Sequence, residues 1–235
     1  MGNSYFQFKQ FIVRQEKCAM KVGTDGVLLG AWADIRDKKH ILDIGTGSGL
    51  IALMAAQRNP KTKIHAIEID PEAYSQAKEN ITSSPWADRI ELFLGAIQQF
   101  SPENSYDAIL CNPPFFIRST PPPLPERTLA RHCTTLSHED LFIAVQKLLL
   151  PGGSFHVILP VTEAESFIGH IKTQKWFINK LTKVLPNPGK APKRLLMQIS
   201  DRETIYQEDV LIIETERHVY HESYKNLTMD FYLNS

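Results

Sequence analysis

Residues 40–49 read His40-Ile41-Leu42-Asp43-Ile44-Gly45-Thr46-Gly47-Ser48-Gly49, and this stretch decides the fold. An apolar run leads directly into a turn with three glycines, and Leu50–Arg58 follows with helical spacing. Glycines at such a turn let a ligand approach the backbone closely, and the helix start presents free N–H groups. The spacing is G-x-G-x-G, which differs from the G-x-G-x-x-G of dinucleotide sites. The stretch predicts a strand, a ligand-binding turn and a helix, and by itself it does not identify the ligand.

Short apolar runs and helical segments alternate along most of the chain, which predicts an α/β fold with a mostly parallel sheet and crossover helices. The expected strands are His40–Ile44, Lys63–Glu68, Ile90–Leu94, Tyr106–Cys111, Ser154–Leu159, Trp176–Leu185, Leu195–Ser200 and Asp209–Thr215. The expected helices are Leu50–Arg58, Pro71–Ile81, Ser137–Leu150 and Thr162–Gln174. Asp70 and Ser137 are expected to cap the second and third of these helices. The last three strands are joined by connections too short for crossovers, so antiparallel pairing is expected at that edge.

The whole chain, residues 1–235, is expected to form one domain. Residues 1–38 are predicted to form a β-ribbon and a helix that act as a lid, because Phe6–Gln15 alternates apolar and polar residues. Residues 39–160 would form the ligand-binding core, and residues 161–235 a β-rich C-terminal half.

Composition excludes several classes of protein. The formal net charge is zero, which argues against indiscriminate coating of nucleic acid. No apolar run reaches the roughly 20 residues that cross a bilayer, and the start lacks the pattern of a signal peptide. Cys18, Cys111 and Cys133 are an odd, widely spaced set that gives neither a disulfide framework nor a metal site. We therefore expect a cytoplasmic protein with no membrane segment, no metal and no obligate protein partner.

Two carboxylates flank the glycine turn. Glu68 ends the second expected strand, where a carboxylate can accept hydrogen bonds from both hydroxyls of a ribose. Asp43 lies inside an apolar strand, and a buried carboxylate is costly without a partner. Its partner is either a cationic amino group of a ligand or the backbone of the turn itself. Glu68, likewise, could be bound by nearby backbone instead of a ribose.

A second motif, Asn112-Pro113-Pro114-Phe115, follows the fourth strand of the expected core. Together with Asp43, Glu68 and the turn glycines Gly45, Gly47 and Gly49, it resembles the pocket of Rossmann-like class I methyltransferases. The resemblance implies S-adenosylmethionine as cofactor and a seven-stranded, mostly parallel sheet with antiparallel C-terminal edge strands and helices on both faces. In that family the tetrapeptide lies beside the methyl donor and marks methylation of an amine on a planar group. Ala96 departs from the family pattern, which often has an aspartate there for the cofactor adenine.

The N-terminal segment suggests which amine is methylated. Cys18 to Trp32 closely resembles the opening of the bacterial tRNA1(Val) adenine-N6-methyltransferases, and the similarity extends to Leu227–Tyr232. It implies N6 of adenosine 37, beside the anticodon, as the target. Thr24 and Asp25 would lie at the methionine end of the donor site; either could instead cap a helix over residues 26–33.

Three other functions stay open at this stage. Enzymes of the same fold methylate a release-factor glutamine or guanine N2 of rRNA, and an inactive RNA- or nucleotide-binding module would belong to a different class. A dehydrogenase is disfavoured by the glycine spacing.

The resemblance also implies roles for individual residues. The side-chain oxygen of Asn112 and the carbonyl of Pro113 would accept the two N6 hydrogens, and Phe115 would stack on the base. Two sets of basic residues are candidates for contact with the tRNA, one in the loop after the tetrapeptide and one in a lysine-rich run that begins at Lys172. They are Arg118, Arg131 and His132 in the loop, and Lys190, Lys193 and Arg194 in the run.

Overall fold

A computed structural model describes residues 3–113 and 136–233. Its strands are β1 (Tyr5–Gln7), β2 (Ile12–Arg14), β3 (His40–Ile44), β4 (Lys63–Glu68), β5 (Ile90–Leu94), β6 (Tyr106–Cys111), β7 (Leu149–Pro160), β8 (Phe177–Leu185), β9 (Arg194–Ser200), β10 (Gln207–Ile212), β11 (Glu214–Glu216) and β12 (Val219–Tyr220). Its helices are α1 (Thr24–Trp32), α2 (Leu50–Arg58), α3 (Pro71–Thr82), α4 (His138–Leu148), α5 (Val161–Thr173) and α6 (Glu222–Thr228).

One eight-stranded sheet in the order β10-β8-β9-β7-β6-β3-β4-β5 forms the centre of the fold. Its pairings are parallel except on the two sides of β9, which runs antiparallel to both β7 and β8. The chain runs outward from β3 through β4 to β5 and then returns to place β6 on the other side of β3. The carboxyl ends of β3 and β6 therefore form a switch point, where open α/β sheets bind their ligands.

Helices cover both faces of this sheet and bury two apolar clusters. Leu28 of α1, Leu53 of α2 and Ile81 of α3 belong to the cluster on one face. Phe142 of α4 and Phe167 of α5 belong to the cluster on the other face. Burial on both faces explains why β3 and β6 are apolar along almost their whole length.

The N-terminal residues form the expected ribbon, in which β1 and β2 pair antiparallel with Tyr5 opposite Arg14. Phe8 stacks on Phe11, with 4.6 Å between ring centroids, and on Tyr232, with 5.9 Å. These aromatic contacts attach the ribbon to the C-terminal end of the described chain.

The structure confirms the expected fold class. The bounds of β3, β4, β5, β6 and α2 match the sequence-based bounds. Asp70 caps α3 by accepting hydrogen bonds from the backbone N–H groups of Glu72 and Ala73, and Ser137 caps α4.

Three details differ from expectation. The sheet has eight strands, as many as the sequence patterns predict and one more than the resemblance implies, and its outermost strand β10 pairs parallel with β8. Strand β7 begins at Leu149, because Pro151-Gly152-Gly153 forms an irregularity between two paired stretches instead of ending the element. The interpretation of Thr24 or Asp25 as a helix cap is wrong: Gly23 is the N-cap of α1, and no side chain accepts a capping hydrogen bond there.

Within residues 3–113 and 136–233, no helix is both long enough and apolar enough to cross a membrane. The same residues contain no group of three or more His, Cys, Asp or Glu side chains that could hold a metal ion.

Candidate active site

A cavity of about 540 Å³ lies where β3, β4, β5 and β6 end. The glycine turn forms its floor, and its walls include Glu68–Asp70, Gly95–Gln98 and Cys111–Pro113. The N-terminal segment from Cys18 to Gly26 also lines the cavity. The glycine turn and the tetrapeptide, which are far apart in the sequence, thus face one space.

The glycine turn presents backbone to this cavity. Gly45 has a φ of +67° and Gly47 a φ of +57°, the left-handed region that glycine adopts without strain. A Cβ added at either position would meet no atom within 4 Å. Gly47 N–H donates to Glu68 Oε2 at 2.8 Å, which joins the turn to the end of β4.

Glu68 is held in one orientation at the tip of β4. Its Oε1 accepts hydrogen bonds from the backbone N–H groups of Ile69 and Asp70 at 2.8 and 2.9 Å. The residue is only 8% exposed, and it lines the cavity. A carboxylate has about four acceptor positions, so these three bonds leave capacity for a ligand hydroxyl.

Asp43 is 1% exposed and lies below the turn. Its Oδ2 accepts hydrogen bonds from Thr46 Oγ1 at 2.6 Å and from the Ala52 N–H at 3.1 Å. Its Oδ1 has no hydrogen-bond partner within the described residues. Burial raises the pKa of this carboxyl to about 7. Asp43 is thus partly satisfied by the turn, and the described walls of the cavity do not include it.

Asn112 follows β6 directly and lies beside the glycine turn, because Cys111 pairs with Ile44 of β3. Its Oδ1 is buried without a hydrogen-bond partner in the part of the chain that the structure describes. A Cβ on Gly26 would lie 3.8 Å from Asn112 Nδ2, so α1 approaches this amide closely. A buried acceptor left unpaired costs about 1–3 kcal/mol, which a ligand N–H donor would relieve. Pro113 lines the cavity beside it.

Thr24 and Asp25 line the cavity at the start of α1. Asp25 Oδ2 accepts a hydrogen bond from Arg194 Nε at 2.8 Å, and Arg194 lines the same cavity. Arg194 was expected on a basic surface run with Lys190 and Lys193. The structure places its side chain at the cavity instead, while both lysines are exposed. The pairing joins residues 169 positions apart, and no local pattern could have indicated it.

Other wall residues were not expected from the sequence. Cys18 to Gly23, Gly95, Ile97 and Gln98 all line the cavity. Of these residues, only Gly95 gave a signal in the sequence, as a glycine directly after β5. Its φ is +155°, and its N–H donates to the Glu68 carbonyl at 2.8 Å. Four predicted site residues lie outside the described residues, namely Phe115, Arg118, Arg131 and His132.

Sequence comparisons give a consistent set of relatives. The family described as "Methyltransferase small domain" matches residues 22–159, more than half of the chain. A protein of Phocaeicola vulgatus is 46% identical over 234 residues, covering 100% of both chains, and is named tRNA1(Val) (adenine(37)-N6)-methyltransferase. A protein of the same name from Histophilus somni is 46% identical over 232 residues, covering 97% of both chains.

Solved structures with the same fold are also methyltransferases. A predicted O-methyltransferase from Agrobacterium tumefaciens has a TM-score of 0.69 at 19% identity, covering 88% of this chain and 96% of that chain. The glycopeptide N-methyltransferase MtfA, solved with S-adenosylmethionine, has a TM-score of 0.54 at 12% identity, covering 77% of this chain and 100% of that chain. At these identities the likeness establishes the fold alone.

Proposed function

The chain belongs to the tRNA1(Val) (adenine(37)-N6)-methyltransferase family, and from this premise we propose that it methylates N6 of adenosine 37 in the anticodon loop of tRNA1(Val). It is a methyltransferase, and its cofactor is S-adenosylmethionine. One observation carries the assignment of the site: Asn112 lines the cavity beside the glycine turn, and its buried Oδ1 has no hydrogen-bond partner among the described residues. The proposal includes a cytoplasmic location and a single domain over residues 1–235.

The cavity residues fit this cofactor. The turn at Gly45 and Gly47 leaves room for close approach of a ligand to the backbone, and Glu68 retains acceptor capacity for one ribose hydroxyl. Asp43 keeps one carboxylate oxygen unpaired near the turn, where it would favour a positively charged ligand. We therefore assign cofactor binding to Thr24, Asp25, Asp43, Gly45, Gly47, Glu68 and Asn112. Gly49 does not line the cavity, and an added Cβ there would contact Ala77 and Ile81 of α3, so its role stays a prediction.

When bound, S-adenosylmethionine supplies an electrophilic methyl group on a positively charged sulfur. The chain's own contribution is to orient the adenine amine. Its nitrogen is a poor nucleophile because the lone pair is delocalised into the ring. Asn112 Oδ1 and the Pro113 carbonyl would accept the two N6 hydrogens, which concentrates electron density on the nitrogen and aims it into the cavity. Positioning of this kind supplies much of the rate of a group transfer.

The N6 nitrogen becomes strongly acidic once it is methylated, so its extra proton is lost to solvent and no strong general base is required. The target base has to leave the anticodon-loop stack to reach Asn112. Stacking by Phe115 stays a prediction.

Some basic residues of the C-terminal half lie at the cavity edge of the sheet, and others form ion pairs on β8. The loop before β9 carries Lys190 and Lys193, and β9 begins beside the end of β7, where Arg194 pairs with Pro160. These residues thus lie at the same edge as the cavity. Lys180 pairs with Asp209 at 3.4 Å and Lys183 pairs with Glu208, so part of the run is neutralised. We propose that the exposed Lys190 and Lys193 contact tRNA phosphates. A phosphate contact by Arg194, whose Nε is bonded to Asp25 at the cavity, stays a prediction.

The double variant Lys190→Gln/Lys193→Gln is expected to flatten the salt dependence of tRNA binding. For every phosphate that the variant no longer neutralises, the slope of log K against log[salt] should decrease in magnitude by about 0.7–0.9. Filter binding or fluorescence anisotropy over a range of salt concentrations measures the slope. Lys172→Gln is the matched control, since Lys172 is exposed at the end of α5, before β8 begins; an equal slope in all three proteins would remove the lysines from the interface.

Asp43→Asn is expected to remove a pH dependence of S-adenosylmethionine binding. The carboxyl has a pKa of about 7 without ligand, and a cationic ligand favours its ionised form. Binding below pH 7 must therefore expel a proton, so affinity should fall as the pH decreases, by up to about tenfold per pH unit.

Calorimetric titration at pH 6, 7 and 8 measures this dependence in both proteins. Asparagine keeps an oxygen for Thr46 Oγ1 and the Ala52 N–H, so the turn is preserved. If wild type and Asp43→Asn show the same slope, Asp43 has no electrostatic contact with the cofactor.

The function itself is tested by labelled methyl transfer to total tRNA from cells that lack this protein. Nucleoside analysis should show the label in N6-methyladenosine. Label in N2-methylguanosine of rRNA, or in a glutamine of a release factor when those substrates are offered, would replace the proposal by one of the alternatives.

A further inference from the structure

We propose that three buried amides, Gln15, Gln76 and Asn80, are positioning residues that hold the segment Cys18–Gly23 over the cofactor cavity. These three side chains form the amide clamp, and residues Cys18–Gly23 form the cover segment. This inference rests on the cofactor assignment, and it goes beyond the proposed target of methylation.

The cover segment belongs to no helix or strand, yet every residue in it lines the cavity. Ala19, Met20 and Lys21 are exposed. Backbone of this kind loses its conformational entropy only where other groups fix it. The position of the cover segment therefore depends on the groups that hold its two ends.

Gln15, three residues before the cover segment, binds the backbone near the end of that segment. Its Oε1 accepts a hydrogen bond from the Val22 N–H at 2.7 Å, and its Nε2 donates to the Asn3 carbonyl at 3.0 Å. The residue is only 5% exposed. The chain thus leaves Gln15, passes along the cavity and returns to the same side chain.

Gln76 of α3 holds the chain just before the cover segment. Its Oε1 accepts hydrogen bonds from the backbone N–H groups of Glu16 and Lys17 at 3.1 and 3.2 Å. Lys17 also forms an ion pair with Glu79, one turn further along α3. These bonds fix the entry of the cover segment relative to α3.

Asn80 joins this frame to the glycine turn. Its Oδ1 accepts from the Arg14 N–H at 2.9 Å, and its Nδ2 donates to the carbonyls of Arg14 and Ser48, both at 2.8 Å. Ser48 lies inside the glycine turn. The chain that leads into the cover segment and the glycine turn are therefore bonded to α3 by side chains one turn apart, Gln76 and Asn80, and the cover segment and the turn line the same cavity.

The amide clamp is not the main attachment of the ribbon to the fold. Phe8, Phe11 and Val13 are buried in the main apolar cluster and provide that attachment. The three amides add bonds to Arg14 at the end of the ribbon and to the backbone that follows it. As a set they reach two walls of the cavity, because Gln15 bonds Val22 of the cover segment and Asn80 bonds Ser48 of the glycine turn.

The test compares Gln76→Met with Gln57→Met. Methionine has a similar length without the amide, and the Glu16 and Lys17 N–H groups lie at exposed residues where water can replace the missing acceptor. Gln57 is a matched control, because its amide donates to the Asp230 carbonyl at the C-terminal turn, away from the cavity.

Gln76→Met is expected to weaken S-adenosylmethionine binding by about tenfold. The KM for S-adenosylmethionine should rise by a similar factor, with a smaller change in kcat. Trypsin should cleave after Lys17 and Lys21 faster in the cofactor-free variant, and the cofactor should protect these bonds less than in wild type. Gln57→Met should bind S-adenosylmethionine as tightly as wild type and should be cleaved by trypsin at the same rate.

Dissociation constants within twofold of wild type, together with unchanged cleavage, would overturn the proposal. If Gln76→Met does not fold, Gln15→Met tests the same prediction from the other end of the cover segment, with the same outcomes. These readouts need no RNA. A wrong tRNA target would therefore leave them unaffected, whereas failure of the clamp would leave the tRNA target unaffected.

Discussion

Replacing Asn112 by alanine is expected to lower methyl transfer by at least about 100-fold, the range seen when one preorganised hydrogen-bonding group is removed from an active site. The dissociation constant for S-adenosylmethionine should change by no more than a few-fold. The reason is the proposed division of roles at the cavity: the glycine turn and Glu68 line it and are assigned to the cofactor, whereas Asn112 Oδ1 is a buried acceptor without a partner among the described residues. Single-turnover kinetics and calorimetry separate the two quantities.

Two further variants make this result specific. Asn112→Asp keeps an acceptor oxygen and should retain measurable activity. Asn226→Ala removes an exposed amide from α6 that does not line the cavity, and should behave as wild type. If Asn112→Ala lost cofactor binding in proportion to its activity, the role of Asn112 in orienting the amine would be wrong.

Gly47→Ala is expected to weaken S-adenosylmethionine binding by at least about 30-fold, equivalent to about 2 kcal/mol. A side chain at this positive φ costs about 1–2 kcal/mol, which the turn would relieve by moving. Such a movement would break the hydrogen bond from Gly47 N–H to Glu68. The added Cβ would also project into open space at the cavity, where the cofactor needs close backbone approach. Calorimetric titration measures the loss of affinity.

Gly189→Ala separates backbone strain from the effect on the cavity. Gly189 has a φ of +76° and also has no atom within 4 Å of an added Cβ, but it lies in the loop before β9 and does not line the cavity. Gly189→Ala should lower the stability against thermal unfolding about as much as Gly47→Ala does. Its affinity for S-adenosylmethionine should equal that of wild type. Equal cofactor affinity in Gly47→Ala and Gly189→Ala would exclude the turn as the binding floor.

Local patterns were enough to predict the core of the fold. The bounds of β3 and β6 follow from nearly continuous apolar runs, since these strands lie in the interior of a parallel sheet and are covered on both faces. The bounds of β4 and of the edge strand β5 were also predicted correctly, although β5 is only partly buried. The position of Asn112 beside the glycine turn follows from the order of the strands at the switch point. For these elements, the local sequence pattern and the tertiary environment favour the same secondary structure.

Features set by distant contacts could not be predicted in this way. Strand β9 lies between β7 and β8, an order that depends on pairing across the sheet and not on local composition. Asp25 was considered as a helix cap, but Arg194 provides its partner from the other end of the chain. Gln15, Gln76 and Asn80 gave no sequence signal, because glutamine and asparagine are common on surfaces and only their burial distinguishes them.

We propose that Asn112, at the wall of the cavity, directs methyl transfer to N6 of adenosine 37. The most direct measurement is transfer of labelled methyl groups to an unmodified tRNA1(Val) transcript, with the modified nucleotide mapped by digestion and mass spectrometry. The same transcript with guanosine at position 37 is measured alongside. We expect one methyl group on N6 of adenosine 37, none on the guanosine-37 transcript, and none with Asn112→Ala. Methylation of the guanosine-37 transcript, or full transfer by Asn112→Ala, would contradict the account.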